Sequence, residues 1–106
     1  MIKFLIKGSY TSDGVKGLLK AGGTTRKQAV EKMINGVGGK MEAFYYAFGE
    51  HDVYAIAELP DSVTIAAIGL TINASGMVSS SITILLTTEE IDRASKKSVN
   101  YRPPGA

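Results

Sequence analysis

The amino-acid sequence predicts a single α+β domain: a ferredoxin-like βαββαβ core with an antiparallel sheet, followed by a C-terminal helix. Three observations lead there. Apolar residues alternate with period two in four segments, and they recur at helical spacing between those segments. The resulting order, β α β β α β α, is that of two right-handed βαβ units around a central hairpin. The 106 residues leave room for one domain, 1–106, with one core.

The first strand places Ile2, Phe4, Ile6 and Tyr10 on one face, with Lys3, Lys7 and Ser9 opposite. Ser12-Asp13 offers a helix N-cap ahead of Val15, Leu18 and Leu19. Gly22-Gly23 interrupts that helix, and Thr25-Arg26-Lys27-Gln28 has the form of a capping box restarting it. Val30, Met33, Ile34 and Val37 then form a core-facing stripe, which Gly36 and Gly38-Gly39 end. Lys40 to Phe48 and Asp52 to Leu59 read as a hairpin around Gly49-Glu50-His51. Glycine at 49 is expected to supply a positive φ, and Asp52 to accept turn hydrogen bonds. Pro60 stops the third strand, and Asp61 or Ser62 caps a helix running to about Ser75. Val78 to Leu86 is the fourth strand. Thr87-Thr88-Glu89-Glu90 is a further capping box, opening a helix that ends at Lys96-Lys97, acids first and bases last.

Composition narrows the function classes. Twelve basic against ten acidic residues give a net charge of +2, and no basic stripe is present, which argues against nucleic-acid binding. The absence of cysteine excludes disulfides, thiolate metal sites and cysteine nucleophiles. Met1 to Lys7 carries lysines within its apolar stretch and reads as a strand rather than a signal peptide. The charge-free run from Ser62 to Thr88 is broken by Asn73, Gly76 and serines, so no membrane span is expected. A bacterial-type cytoplasm is the expected setting. Glu89, Glu90 and Asp92 sit where acids favour a helix start, and neither a metal nor a cofactor is expected.

The second strand carries apolar residues on both faces: Met41, Ala43, Tyr45 and Ala47 on one, Phe44, Tyr46 and Phe48 on the other. In the predicted topology it lies at a sheet edge, so one of these faces needs a cover. Burying each aromatic is worth roughly 1.5–3 kcal/mol, and the C-terminal helix offers only Ile91 and Ala94 as anchors. A second copy of the chain, sheet against sheet, is the expected partner. The uncharged helix from Val63 to Ala74 is apolar all round and is expected to be buried on more than one side.

Phe48-Gly49-Glu50-His51-Asp52-Val53-Tyr54 and the Ala55 to Asp61 segment resemble the GYD-domain family. Ser9-Tyr10-Thr11, Gly14 to Leu19, Leu85 to Glu90 and Tyr101 to Pro104 extend the resemblance over nearly the whole chain. The family signature is Gly-x-Tyr-Asp; Gly49 and Asp52 match it, and His51 stands in place of the tyrosine. The resemblance implies a dimeric α+β-barrel type of fold and carries no established activity. Related barrel dimers include haem-degrading and cyclase-like enzymes, so the resemblance would allow His51 as a haem ligand.

His51, the only histidine, is the candidate acid–base catalyst; the plainer alternative is a hairpin-tip histidine facing water. Tyr10, Tyr54 and Tyr45, with Asp52, are the candidate ligand-binding residues, expected to edge a pocket between sheet and helices. The plainer alternative for each tyrosine is a ring packed in a core or interface with its hydroxyl in water. Thr24, Thr25 and Arg26 at a helix start suit an anion, although ordinary capping explains them too. The expected function is therefore a small-molecule-binding or regulatory homo-oligomeric domain. The alternatives are a cofactor-independent enzyme of isomerase, cyclase or monooxygenase type and a non-catalytic assembly module.

Overall fold

The computed structural model describes residues 1–106. Its elements are β1 (Ile2–Tyr10), α1 (Ser12–Ala21), α2 (Gly23–Gly36), β2 (Lys40–Tyr46), β3 (Val53–Leu59), α3 (Ser62–Ala74), β4 (Val78–Leu85) and α4 (Thr88–Ser95). The strands form one antiparallel sheet in the order β2-β3-β1-β4. The fold class and the edge position of β2 are those the sequence predicts. No helix is long and apolar enough to cross a membrane.

Even-numbered residues of β1 and odd-numbered residues of β3 point toward the helices. Phe4, Ile6, Ala55, Ala57 and Leu59 meet Val30 and Ile34 of α2 and Ile65 and Ile68 of α3 in one core. Phe4, Ile34 and Leu59 are fully buried, each stabilising the fold by roughly 1.5–3 kcal/mol through area removed from water. The opposite face, formed by Leu5, Lys7 and Ser9 of β1 with Tyr54 and Ile56 of β3, has no helix over it. On it Lys3 bridges Glu42 at 3.0 Å and Glu58 at 3.8 Å.

A β-bulge between Met41 and Ala43 changes the phase of β2. Met41 pairs with Ala57, Phe44 with Ala55 and Tyr46 with Val53, so these three face the helices. Ala43 and Tyr45 face the open side, paired with Ile56 and Tyr54. The sequence pattern, read as uninterrupted alternation, put Met41 with Ala43 and Tyr45. It also offered Phe44 and Tyr46 as aromatics needing a cover. Phe44 instead packs against the core, and Tyr46 donates a hydrogen bond to the Gly23 carbonyl at 2.9 Å.

Several helix ends differ from expectation. α1 is capped by Thr11, not Ser12 or Asp13: the Thr11 hydroxyl accepts from Gly14 N at 3.2 Å and donates to Gly76 O at 2.9 Å. α2 begins at Gly23 with Gly22 as N-cap and no side-chain cap, so the Thr25–Gln28 box does not form. Gly22 has a φ of 86°, which a side chain would resist. α3 is buried only through Ile65 and Ile68, while Val63 and Leu70 are 77% and 73% exposed. Its expected burial on several sides is not met within one chain.

Two N-caps behave as the sequence requires. Asp61 accepts from Thr64 N at 2.8 Å, and Thr87 and Glu90 close a reciprocal capping box. Hydrogen bonds from Thr64 hold the Asp61 carboxyl below its ordinary 3.8; bonds from Thr87 do the same to Glu90, ordinarily 4.5. A carboxyl lowered by folding contributes in full above its ordinary pKa, and that contribution is lost as pH falls through the lower folded value. Stability should therefore decline as pH drops below this range, and Asp61→Ala should flatten part of the decline. Urea midpoints of both proteins across acid pH would show it; parallel acid limbs would refute the assignment to Asp61.

Candidate functional site

β1 ends at Tyr10, whose even position turns its side chain to the helix side of the sheet. Above it α1 approaches closely only at its buried Gly14; the rest of the helix stands away from the strands, and Leu19 is 80% exposed. The gap is a cleft in two joined parts. One, of about 500 Å³, lies between α1, α2 and the end of α3, bordered by Tyr10, Gly14, Leu18, Arg26, Ile72 and Met77. The other, of about 390 Å³, lies toward the end of β2, bordered by Tyr10, Leu18, Gly23, Tyr46, Phe48 and Asp52. Beneath them a hollow of about 30 Å³ runs along Ile6, Val30, Phe44 and Arg26 into the core.

The walls are mainly apolar and the polar groups few, which is the usual make-up of a small-molecule site. Arg26, in the first turn of α2, is partly buried and borders both the larger cavity and the hollow. Its guanidinium takes part in none of the ion pairs of the chain, which all involve Lys3. An arginine at this position can present its donors to an oxygen anion that enters the cavity. Tyr10 borders all three spaces. Tyr46 lies beside it, and partial burial followed by the neighbouring Tyr10 phenol pushes the Tyr46 hydroxyl above its ordinary 10.0. The Tyr46 O–H donates to the Gly23 carbonyl, tying β2 to the start of α2.

Asp52 sits at the rim with a positioning role: its Oδ2 accepts from the Tyr10 backbone N–H at 2.8 Å. Its own backbone closes the loop, with Asp52 N donating to Gly8 O and Ala47 N donating to Asp52 O, both at 2.9 Å.

Of the residues proposed from the sequence, the structure brings Tyr10, Asp52, Thr25 and Arg26 to this cleft. Thr24 is exposed and borders none of the three spaces. Tyr54 and Tyr45 do not share a pocket with Tyr10. They pair with each other on the open face of the sheet, because Tyr54 alternates with the buried Val53 and Ala55. His51 is on that side too, its ring edge-on to Tyr54 at 5.8 Å between centroids and its Nδ1 3.3 Å from Ser9 Oγ. Gly49 has no positive φ, so its expected conformational role in the hairpin is not found. Tyr46 and Leu18 were missed. The clue to Tyr46 was its alternation with Phe44, the largest apolar side chain of β2, but the sequence did not tell which face met the helices.

Fold and cleft define a small α+β domain of the ferredoxin-like class that holds its cavities between sheet and helices. Within that class the chain belongs to the GYD-domain family, whose model matches residues 4–95, from inside β1 to the end of α4. No curated protein and no solved structure matches it.

Proposed function

We propose that this protein binds a small molecule in the cleft between α1, α2 and the sheet, the ligand being an apolar body bearing one carboxylate or similar oxygen anion. The observation that carries this reading is Arg26, a half-buried arginine without an ion-pair partner that borders an apolar-walled cavity together with Tyr10. Arginine presents a planar fork of donors to a carboxylate, and the Tyr10 and Thr25 hydroxyls can add to it. Leu18, Ile72 and Met77 would cover the apolar body. Binding is favoured over catalysis because His51, the candidate acid–base group, lies across the sheet. Asp52 holds a backbone amide instead of facing the cavity as a free base.

Benzoate, with benzamide as its neutral counterpart, is a suitable probe. Titration followed by amide chemical shifts should perturb Tyr10, Arg26 and Tyr46 with benzoate and much less with benzamide. Arg26→Met should weaken the benzoate affinity about tenfold, the scale of one charge-assisted hydrogen bond, and Tyr10→Phe by less. Equal responses to both probes, or undiminished affinity in Arg26→Met, would remove the reading.

Self-association is the second part of the proposal. One chain exposes 7386 Å², whereas a compact monomer of 11.2 kDa exposes roughly 5,700 Å². The excess, roughly 1,700 Å² per chain, would give two copies a buried total within the 2,000–5,000 Å² range of obligate dimers. The open sheet face with Leu5, Ile56, Tyr54 and Tyr45 is the surface that a second copy would cover.

A further inference from the structure

The molecule measures 56 × 33 × 23 Å, with a radius of gyration of 16.9 Å. A compact chain of this length has a radius near about 13 Å, so part of it stands clear of the body. That part is the C-terminal arm. Every residue from Leu86 to Ala106 is exposed except Glu90, which is held within its own capping box. α4 packs substantially against no other element of its chain. Every hydrogen bond of residues 87–106 stays among those residues.

The arm is nevertheless built to dock. α4 is a capped helix with acids in its first turn and Arg93 in its last, yet eight residues alone make only a marginal helix in water. The apolar groups of the arm are left open, with Leu86 61%, Ile91 50%, Val99 79% and Tyr101 70% exposed. A helix this short, with Ile91 and Ala94 open and no partner in its own chain, would gain stability by docking on a second surface.

We infer that this arm is exchanged, each copy laying its α4 and tail on the second copy that covers its open sheet face. The inference rests on the self-association proposed above and extends it. The excess surface of each chain matches a full interface side, and the arm supplies about 20 residues, the number one side of a stable interface contributes. A two-fold dimer satisfies open sheet face and arm together, in equal number, with surfaces the chain already carries. An unrelated partner for the arm would leave the sheet face uncovered.

Three full-length proteins test this by sedimentation equilibrium and hydrogen exchange: the parent, Ile56→Lys on the sheet face, and Ile91→Asp/Val99→Asp on the arm. Both positions of the double variant are solvent-facing in the single chain, so its domain should fold as the parent does, which circular dichroism verifies. The parent should be dimeric, with α4 amides protected at high concentration and losing protection on dilution. Each variant should raise the dimer dissociation constant tenfold or more, and the arm variant should lose α4 protection. A parent that dimerises with unprotected α4 amides, or an arm variant that dimerises as tightly as the parent, overturns arm exchange and leaves self-association standing. A monomeric parent overturns both.

Discussion

Gly14→Ala is expected to destabilise the protein by about 2–3 kcal/mol, whereas Gly17→Ala, one turn further along the same helix, stabilises it slightly. Intrinsic helix propensity alone favours alanine at both positions by about 1 kcal/mol. At Gly14, however, a Cβ would fall on the Met77 carbonyl oxygen and press against the Tyr10 ring. That carbonyl also accepts the Thr11 N–H at 3.0 Å, so α1 cannot shift without loosening its own N-cap. Overpacking against backbone costs about 1–3 kcal/mol and each disturbed hydrogen bond about 1 more, which outweighs the propensity gain. Gly17 meets nothing within 4 Å, so there the propensity acts alone. Urea unfolding of the two variants should separate them by about 3 kcal/mol; equal midpoints would mean that α1 does not hold this close approach. Gly49, also open within 4 Å and without a positive φ, should tolerate alanine or valine without measurable loss.

The contrast between these glycines shows where sequence reading reached and where it stopped. Element order, the Pro60 stop, the Asp61 cap and the Thr87–Glu90 box were legible because each depends on neighbours within four residues. The cap of α1 was misplaced by one residue, since Thr11, Ser12 and Asp13 are all competent caps. Thr11 is chosen by its hydrogen bond to Gly76, 65 residues away. The bulge at Met41 and Ala43 carries no composition signal, and one extra residue there changes which side chains of β2 share a face. Tyr54 was assigned to the cleft because it neighbours β1 in the sheet. Its face was set by the burial of Val53 and Ala55, a property of the packed core. The standing-off of α1, which opens the cleft, is likewise a tertiary fact: Val15, Leu18 and Leu19 read as core positions, yet Leu19 is 80% exposed.

Asp52→Ala is expected to cost about 2 kcal/mol and to disorder the cleft rim. The Tyr10 N–H lies where β1 runs out of strand partners on the β3 side, since that pairing reaches only Gly8 opposite Val53. The Asp52 carboxylate takes the place of the next strand carbonyl, accepting from Tyr10 N at 2.8 Å. Removing a charged acceptor from a partly buried amide forfeits about 1.5–3 kcal/mol. Asp52→Asn keeps an acceptor oxygen without the charge and should lose roughly half as much. The local consequence matters more than the total. Tyr10 is the side chain common to every part of the cleft, and its backbone is fixed by this bond on one side and by pairing with Val78 on the other. In Asp52→Ala the Tyr10 amide should exchange hydrogen far faster while the core amides of Phe4 and Ala57 keep their protection. Affinity for the benzoate probe should fall with it, although Arg26, Tyr10 and Thr25, the groups proposed to hold the anion, are all retained. An unfolding free energy within about 0.5 kcal/mol of the parent, the range of an ordinary surface substitution, would show that the aspartate is not what holds Tyr10 in place.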